Sequence, residues 1–186
     1  MKKQEIFEYK SDTLRKLQMK SLEIYKVLLD FCKKNNLNIF FCGGCLIGTL
    51  RNKGFIPWDD DIDVFMPRKD HEKLKELWPK YGDNEKYELV IPSINNYTKN
   101  QFITFNDNNT TFIKSYETDL DMNHGIRIDI LPLDGCPTSR IKRKIQKFWA
   151  LIYSLYSTQM VPVNHGKMVS FVGKTMLFII PIKKVR

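Results

Sequence analysis

The chain has 186 residues, 42% hydrophobic and 27% charged, with 30 Lys and Arg against 21 Asp and Glu and a formal net charge of +9. That length buries a real core, as one domain or one domain with an appendage, and the balance excludes disordered, fibrous and repeat proteins. The charge is uneven: residues 137–186 carry ten Lys or Arg and no acid, leaving twenty bases against twenty-one acids in residues 1–136. A split at 136/137 is therefore expected, with a near-neutral body and a basic last quarter. The basic part suits an anionic partner, membrane or nucleic acid, or is simply a solvated face.

Residues 1–6 (Met-Lys-Lys-Gln-Glu-Ile) are charged rather than apolar, so no signal peptide is read there and a cytoplasmic location is expected. Four cysteines, Cys32, Cys42, Cys45 and Cys136, are too sparse for a disulfide framework. Cys42-Gly-Gly-Cys45 has C-x-x-C spacing, but no second ligand pair accompanies it, and packing is favoured over a redox or zinc role.

Taken in chain order, residues 12–34 place Leu14, Leu17, Ile24, Leu28 and Phe31 at near-helical spacing, and Asn35-Asn36 stops the run. Residues 38–42 read as a short buried strand, broken by Gly43-Gly44, and residues 45–52 as a short helix stopped by Gly54. Pro57 introduces a strand over 59–66, Pro67 closes it, and 68–80 is a helix with Leu74 and Leu77 facing inward. Strands are expected over 87–91, 101–105 and 110–114, joined by Asn-rich turns, and over 125–131, ending at Pro132. Thr138 or Ser139 caps a last amphipathic helix with Ile141, Ile145, Phe148, Trp149, Ile152 and Tyr156 on one face and a basic flank over 140–147. Residues 168–182 are apolar but fall short of a membrane span and carry Lys174. The fold class expected is α/β (α+β), a mixed central sheet flanked by helices with a basic, helical C-terminal part.

Chemistry concentrates in Trp58-Asp59-Asp60-Asp61-Ile62-Asp63-Val64. On a strand, residues two apart share a face, so Asp59, Asp61 and Asp63 are expected on one side. Carboxylates at that pitch repel one another, and a hard divalent cation such as Mg²⁺ relieves the repulsion while bridging substrate phosphates. Asp129, between Ile128 and Ile130, supplies another carboxylate from a second strand. Arg127 shares its face and either pairs with it or meets a donor phosphate, and His124 lies nearby. Gly43-Gly44, between a strand and a helix start, lets a phosphate approach the backbone. Arg51 and Lys53 either hold a leaving phosphate or are surface residues. Trp58 and the Tyr/Phe-rich middle form an aromatic cage for a quaternary ammonium or, the favoured reading, contribute to the core.

The stretch from Cys42-Gly-Gly-Cys through Gly54-Phe-Ile-Pro-Trp-Asp-Asp-Asp-Ile-Asp63 closely resembles the LicD family, phosphocholine transferases of bacterial surface glycans related to fukutin and fukutin-related protein. Ile128-Asp-Ile-Leu-Pro-Leu-Asp134-Gly resembles that family's second block, and the likeness covers about residues 15–150. It implies a nucleotidyltransferase-like fold that uses Mg²⁺ or Mn²⁺ and a CDP-activated alcohol, commonly CDP-choline. The phosphoalcohol passes to a sugar hydroxyl and CMP leaves. Carried over by position, Gly43 and Gly44 hold the donor phosphates, Asp61 and Asp63 bind metal, and Asp129 is the third carboxylate. Asp59 is an extra ligand or a base.

The acceptor implied is a glycan precursor, lipid-linked and met at the inner face of the membrane, where the basic C-terminal part makes peripheral contact with anionic lipid. An alternative is transfer of NMP itself to a protein, RNA end or small molecule, and a third reading is a non-catalytic module of the same fold. Nucleic acid is not an expected partner, because the basic stretch carries bulky apolar residues and no stacking motif.

Overall fold

The computed structural model describes residues 11–92, 102–113, 118, 122–158 and 173–175. Its elements run α1 (Ser11–Lys34), β1 (Phe40–Phe41), α2 (Gly43–Asn52), β2 (Ile62–Pro67), α3 (Arg68–Tyr81), β3 (Tyr87–Val90), β4 (Ile103–Asp107), β5 (Arg127–Leu133) and α4 (Arg140–Thr158). The strands form one five-stranded sheet in the order β1-β2-β5-β4-β3. Only β2 and β5 pair in parallel; the other three pairings are antiparallel, so the sheet is mixed, as expected. The chain divides into two compact units, residues 1–90 with 103–133, and residues 91–102 with 134–186.

Period-two alternation in the sequence becomes two unlike faces of the sheet. One face carries Ile62, Val64, Met66, Ile128, Ile130 and Phe105, all buried. Register sets these residues against each other, Ile62 beside Ile128, Val64 beside Ile130, and Phe105 beside Ile128. Trp78 of α3 meets the Phe105 ring edge-on at 4.6 Å, Phe31 of α1 meets Trp78 at 4.7 Å, and Tyr25 of α1 meets Phe41 at 4.7 Å. Both helices therefore cover this apolar face. An ion pair between part-exposed Lys20 Nζ and buried Asp107 Oδ2 at 2.9 Å ties α1 to the end of β4. Asp70 at the start of α3 accepts from Asn38 twice, from the backbone N–H at 3.0 Å and from Nδ2 at 2.8 Å.

Several elements depart from expectation. The strand expected from Asp59 begins at Ile62, and Pro57-Trp58 form a turn in which the Asp59 N–H donates to the Ile56 carbonyl at 3.0 Å. Residues 110–113 form no strand, and Lys114 lies outside the described residues. Instead, Thr110 Oγ1 donates to the Asp107 carbonyl and the Ile126 N–H donates to Thr110 Oγ1, so this stretch holds the loop before β5. The expected buried strand at 38–42 shrinks to Phe40–Phe41 at the sheet edge, with Phe40 53% exposed. In α3 the large inward residue is Trp78, while Leu77 is only half-buried. Tyr156 of the expected apolar helix face and residues 168–182, apart from Gly173–Thr175, lie outside what is described of side chains or backbone.

Candidate active site

The opposite face of the same strands is polar. Asp63 on β2 and Asp129 on β5 are register partners in the parallel pair, so their side chains project together from neighbouring strands about 4.8 Å apart. Arg127, two residues before Asp129 on the same face, brings its Nε to 3.5 Å from Asp129 Oδ1, an ion pair that is nearly buried. Across β4, Thr104 faces Asp129 and Asn106 faces Arg127. Both are buried, and the Thr104 hydroxyl and Asn106 Oδ1 make no hydrogen bond among the described residues. These two were not singled out in the sequence, although the alternation Ile103-Thr-Phe-Asn106 carries the signal.

Helix α2 starts beside the carboxylates. Cys42, extended at φ −128° and ψ 172°, is its N-cap and makes no side-chain cap. The Cys42 N–H donates to the Asp63 carbonyl at 3.1 Å. The Cys45 thiol receives the Asp63 N–H at 3.4 Å and donates to the Asp61 carbonyl at 3.6 Å. Burial pushes the Cys42 thiol up to about 11, and the nearby charges of Asp63, Asp61 and Asp129 add to that rise. Burial likewise pushes Cys45 up to about 12. Both cysteines are therefore neutral thiols at neutral pH, the Cys45 thiol and the Cys42 backbone pin the start of β2, and the pair lacks the thiolate character a redox site needs. Asp61, Asp63 and Asp129 are all near enough for their charges to act on the Cys42 thiol.

The two glycines do different things. Gly43 has φ +52°, a backbone that L side chains rarely adopt, and an added Cβ would lie 3.9 Å from Asp63 Oδ2. A Cβ at Gly44 would collide with the Asp59 carboxylate, so this glycine makes room for an acid. Asp59 thus leaves the Asp61/Asp63 row and packs against the first turn of α2. Burial raises its pKa, and Asp61 and Asp60 raise it further. Gln18 of α1, 4% exposed, holds the loop in place: its Nε2 donates to the Asp59 carbonyl at 2.9 Å and the Ile56 carbonyl at 3.3 Å. A polar residue in an amphipathic helix reads as solvated, and only the folded chain reveals Gln18 as an anchor.

The donor chemistry of Asp61, Asp63 and Asp129 fits a hard divalent ion, because carboxylate oxygens suit Mg²⁺ or Mn²⁺. Among the described residues no three His, Cys, Asp or Glu side chains converge closely enough to form a complete protein cage.

The LicD/FKTN/FKRP nucleotidyltransferase-domain family matches residues 36–137, more than half the chain. The chain belongs to the LicD family. Over 66 residues it is 42% identical to the lipopolysaccharide cholinephosphotransferase LicD of Haemophilus influenzae, covering 36% of this chain and 25% of that protein. Uncharacterized proteins of Rickettsia prowazekii and Rickettsia typhi match at 32% over 65 residues and 30% over 67 residues, covering 33% and 34% of this chain and 24% and 22% of theirs. The chain therefore covers about a quarter of the length of these relatives.

Within the LicD-family domain, the fold brings Asp63, Asp129, Arg127 and Gly43 together, with Asp61 just ahead of β2 and Asp59 packed against Gly44. It does not bring Arg51 and Lys53 to the same place. Both follow or close the C-terminal turn of α2, roughly 10 Å along the helix from Gly44. Arg51 Nε donates to Asn52 Oδ1, and Lys53 is a left-handed cap at φ 58°. Lys53 also borders an apolar cavity of about 420 Å³ lined by Leu22, Phe41, Phe55 and Ile62. Trp58 is 74% exposed in its turn and is not a core residue.

Proposed function

We propose that this chain is the catalytic part of a metal-dependent transferase that moves a phosphoalcohol, phosphocholine first among them, from a CDP-activated donor to a sugar hydroxyl of a cell-surface glycan precursor, releasing CMP. The observation that carries the reading is the facing pair Asp63 and Asp129 beside the glycine-built start of α2. Support comes from the 42% likeness to a lipopolysaccharide cholinephosphotransferase.

In this reading Asp61 and Asp63 hold Mg²⁺ or Mn²⁺, with Asp129 as the third carboxylate. The ion, when bound, neutralises the donor diphosphate and favours in-line attack at phosphorus. The residues of the chain do the rest. The backbone of Gly43 at the start of α2 receives a donor phosphate oxygen, and Gly44 makes room beside it for the Asp59 carboxylate. Arg127 fixes the Asp129 carboxylate and meets the anionic donor. The incoming sugar hydroxyl gives its proton to a carboxylate, Asp129 or Asp59; the raised basicity of Asp59 suits it to that role. The new bond joins the sugar oxygen to the alcohol-bearing phosphorus, and the bond from that phosphorus to the bridging oxygen of CMP breaks. The acceptor is lipid-linked and presented at the inner face of the membrane. Among the described residues no helix is long and apolar enough to cross one.

The test is product analysis: CDP-choline and a glycan acceptor are incubated with the protein and Mg²⁺, and nucleotide products are resolved. CMP release with choline phosphate on the glycan, abolished in Asp61→Ala, is expected. The family's description as a nucleotidyltransferase domain favours one other reading, NMP transfer. Pyrophosphate from CTP with no CMP from CDP-choline would establish that alternative instead.

A further inference from the structure

Helix α4 (Arg140–Thr158) is the most amphipathic helix of the described residues, yet much of its apolar stripe faces solvent. Ile141 is 72% exposed and Trp149 62%, with Ile145 and Phe148 between them also more than half exposed. These four are positions 2, 6, 9 and 10 of α4, which places them on one side of an α-helix. Phe148 and Trp149 meet edge to face at 5.6 Å, forming one aromatic ridge. The charged side chains around the stripe are all cationic, Arg140, Lys142, Arg143, Lys144 and Lys147, with exposed Leu151 and Tyr153 among them, and no Asp or Glu follows Asp134 in the sequence.

We infer that α4 is a membrane-docking helix that lies in the plane of an anionic bilayer, its Ile141–Trp149 ridge buried among the acyl chains and its Lys and Arg side chains among the lipid phosphates. An exposed apolar stripe of this size calls for a covering surface. The chemistry around it selects which one. A helix with aromatic and aliphatic residues on one side and charges of a single, positive sign around them has the pattern of an interfacial amphipathic helix. Phe and Trp settle at the boundary between headgroups and acyl chains, and long Lys and Arg stems at the edges of the stripe reach up to the phosphates. Lys142 and Lys144 flank the stripe on either side in helical projection, while Arg140, Arg143 and Lys147 point away from it and supply long-range attraction. A nucleic acid satisfies the cations but leaves Ile141 and Ile145 uncovered. A second copy of the chain covers the stripe but sets five cations against five.

This deepens the membrane side of the proposed function by assigning it a surface, and its test is independent of transfer activity. The full chain is mixed at low salt with vesicles of phosphatidylcholine alone, or of phosphatidylcholine with a third phosphatidylglycerol, and bound protein is measured by flotation. Binding at least about tenfold tighter to the anionic vesicles is expected, falling as salt shortens the range of the attraction. Lys142→Gln/Arg143→Gln/Lys144→Gln should lose that preference, and Phe148→Ser/Trp149→Ser should weaken binding to anionic vesicles at least about tenfold, both with unchanged circular dichroism because the residues are exposed. Equal affinity for both vesicle types, no binding to either, binding untouched by the serine variant, or a concentration-dependent dimer that protects Trp149 from aqueous quenchers would each overturn the assignment. Retention of an oligonucleotide without vesicle binding would overturn it as well. Failure to release CMP from CDP-choline would leave it standing, since that outcome bears only on the carboxylate site.

Discussion

The two faces of strands β2 and β5 differ in kind although they share a backbone. On one side Ile62, Val64, Ile128 and Ile130 are sealed beneath α1 and α3. On the other, Asp63, Asp129 and Arg127 remain only partly covered. The alternation that sends one residue into the core sends its neighbour into the site. The consequence is mechanical: carboxylates that repel one another are held in place because each sits between two packed aliphatic residues. Core and site are therefore separable by substitution, and the account can be broken by showing that they are not.

The largest separation is expected from paired substitutions. Asp63→Asn should lower the transfer rate by roughly a thousandfold, while leaving the melting temperature near that of the parent. Ile130→Ala, one residue from Asp129, should cost about 2–5 kcal/mol of stability, with the rate per folded molecule largely kept. Steady-state kinetics beside chemical denaturation reads both; a site variant that unfolds the protein would collapse the distinction.

Next in size is Gln18, which belongs to the core by burial and to the site by its bonds. Gln18→Met keeps the volume and removes donors to the Ile56 and Asp59 carbonyls, a loss of about 1–3 kcal/mol. Faster amide exchange over residues 56–61, with β4 unchanged, is the expected signature. Gly44→Ala sharpens the comparison further. The added methyl displaces the Asp59 carboxylate, so about a tenfold loss in rate is expected, with stability changed less than in Ile130→Ala.

The smallest effect lies under the apolar face. Burial lowers the pKa of His71, outweighing its bond to Glu72, so the folded chain favours the neutral ring. A group with a lowered folded value contributes its stability above the unfolded value near 6.5 and loses it as pH falls from there toward the folded value. Denaturation midpoints of the parent should decline below that pH more steeply than those of His71→Leu. The pH dependence of the carboxylate side is separate, because Asp59 is displaced the opposite way.

Much of this division was legible in the sequence. Ile128-Asp-Ile and Ile62-Asp-Val announce their alternation, and Asp63 and Asp129 emerge on one face as that alternation requires. Three alternating acids read as a continuous strand from Asp59, whereas the strand begins at Ile62. A strand, however, needs a ladder partner, and β5 begins to supply one only at Ile128, opposite Ile62. Pro57 and the Ile56 carbonyl turn the chain before that point. Thr110 resembles a strand residue by composition but spends its hydroxyl on loop backbone. Gln18, Thr104 and Asn106 escaped notice because a buried polar side chain carries no local signature; its partners come from elements far away in sequence. The Gly43-Gly44 pair predicts the approach of a phosphate, and at Gly44 the group that approaches is the Asp59 carboxylate.

The most direct test of the central claim is calorimetric titration of CDP-choline into the chain with and without Mg²⁺, repeated on Asp129→Asn. Metal-dependent binding that is lost in the variant, while its melting temperature is kept, is the result expected of carboxylates held between two core residues. Binding that needs no metal, or that survives intact in Asp129→Asn, would contradict it.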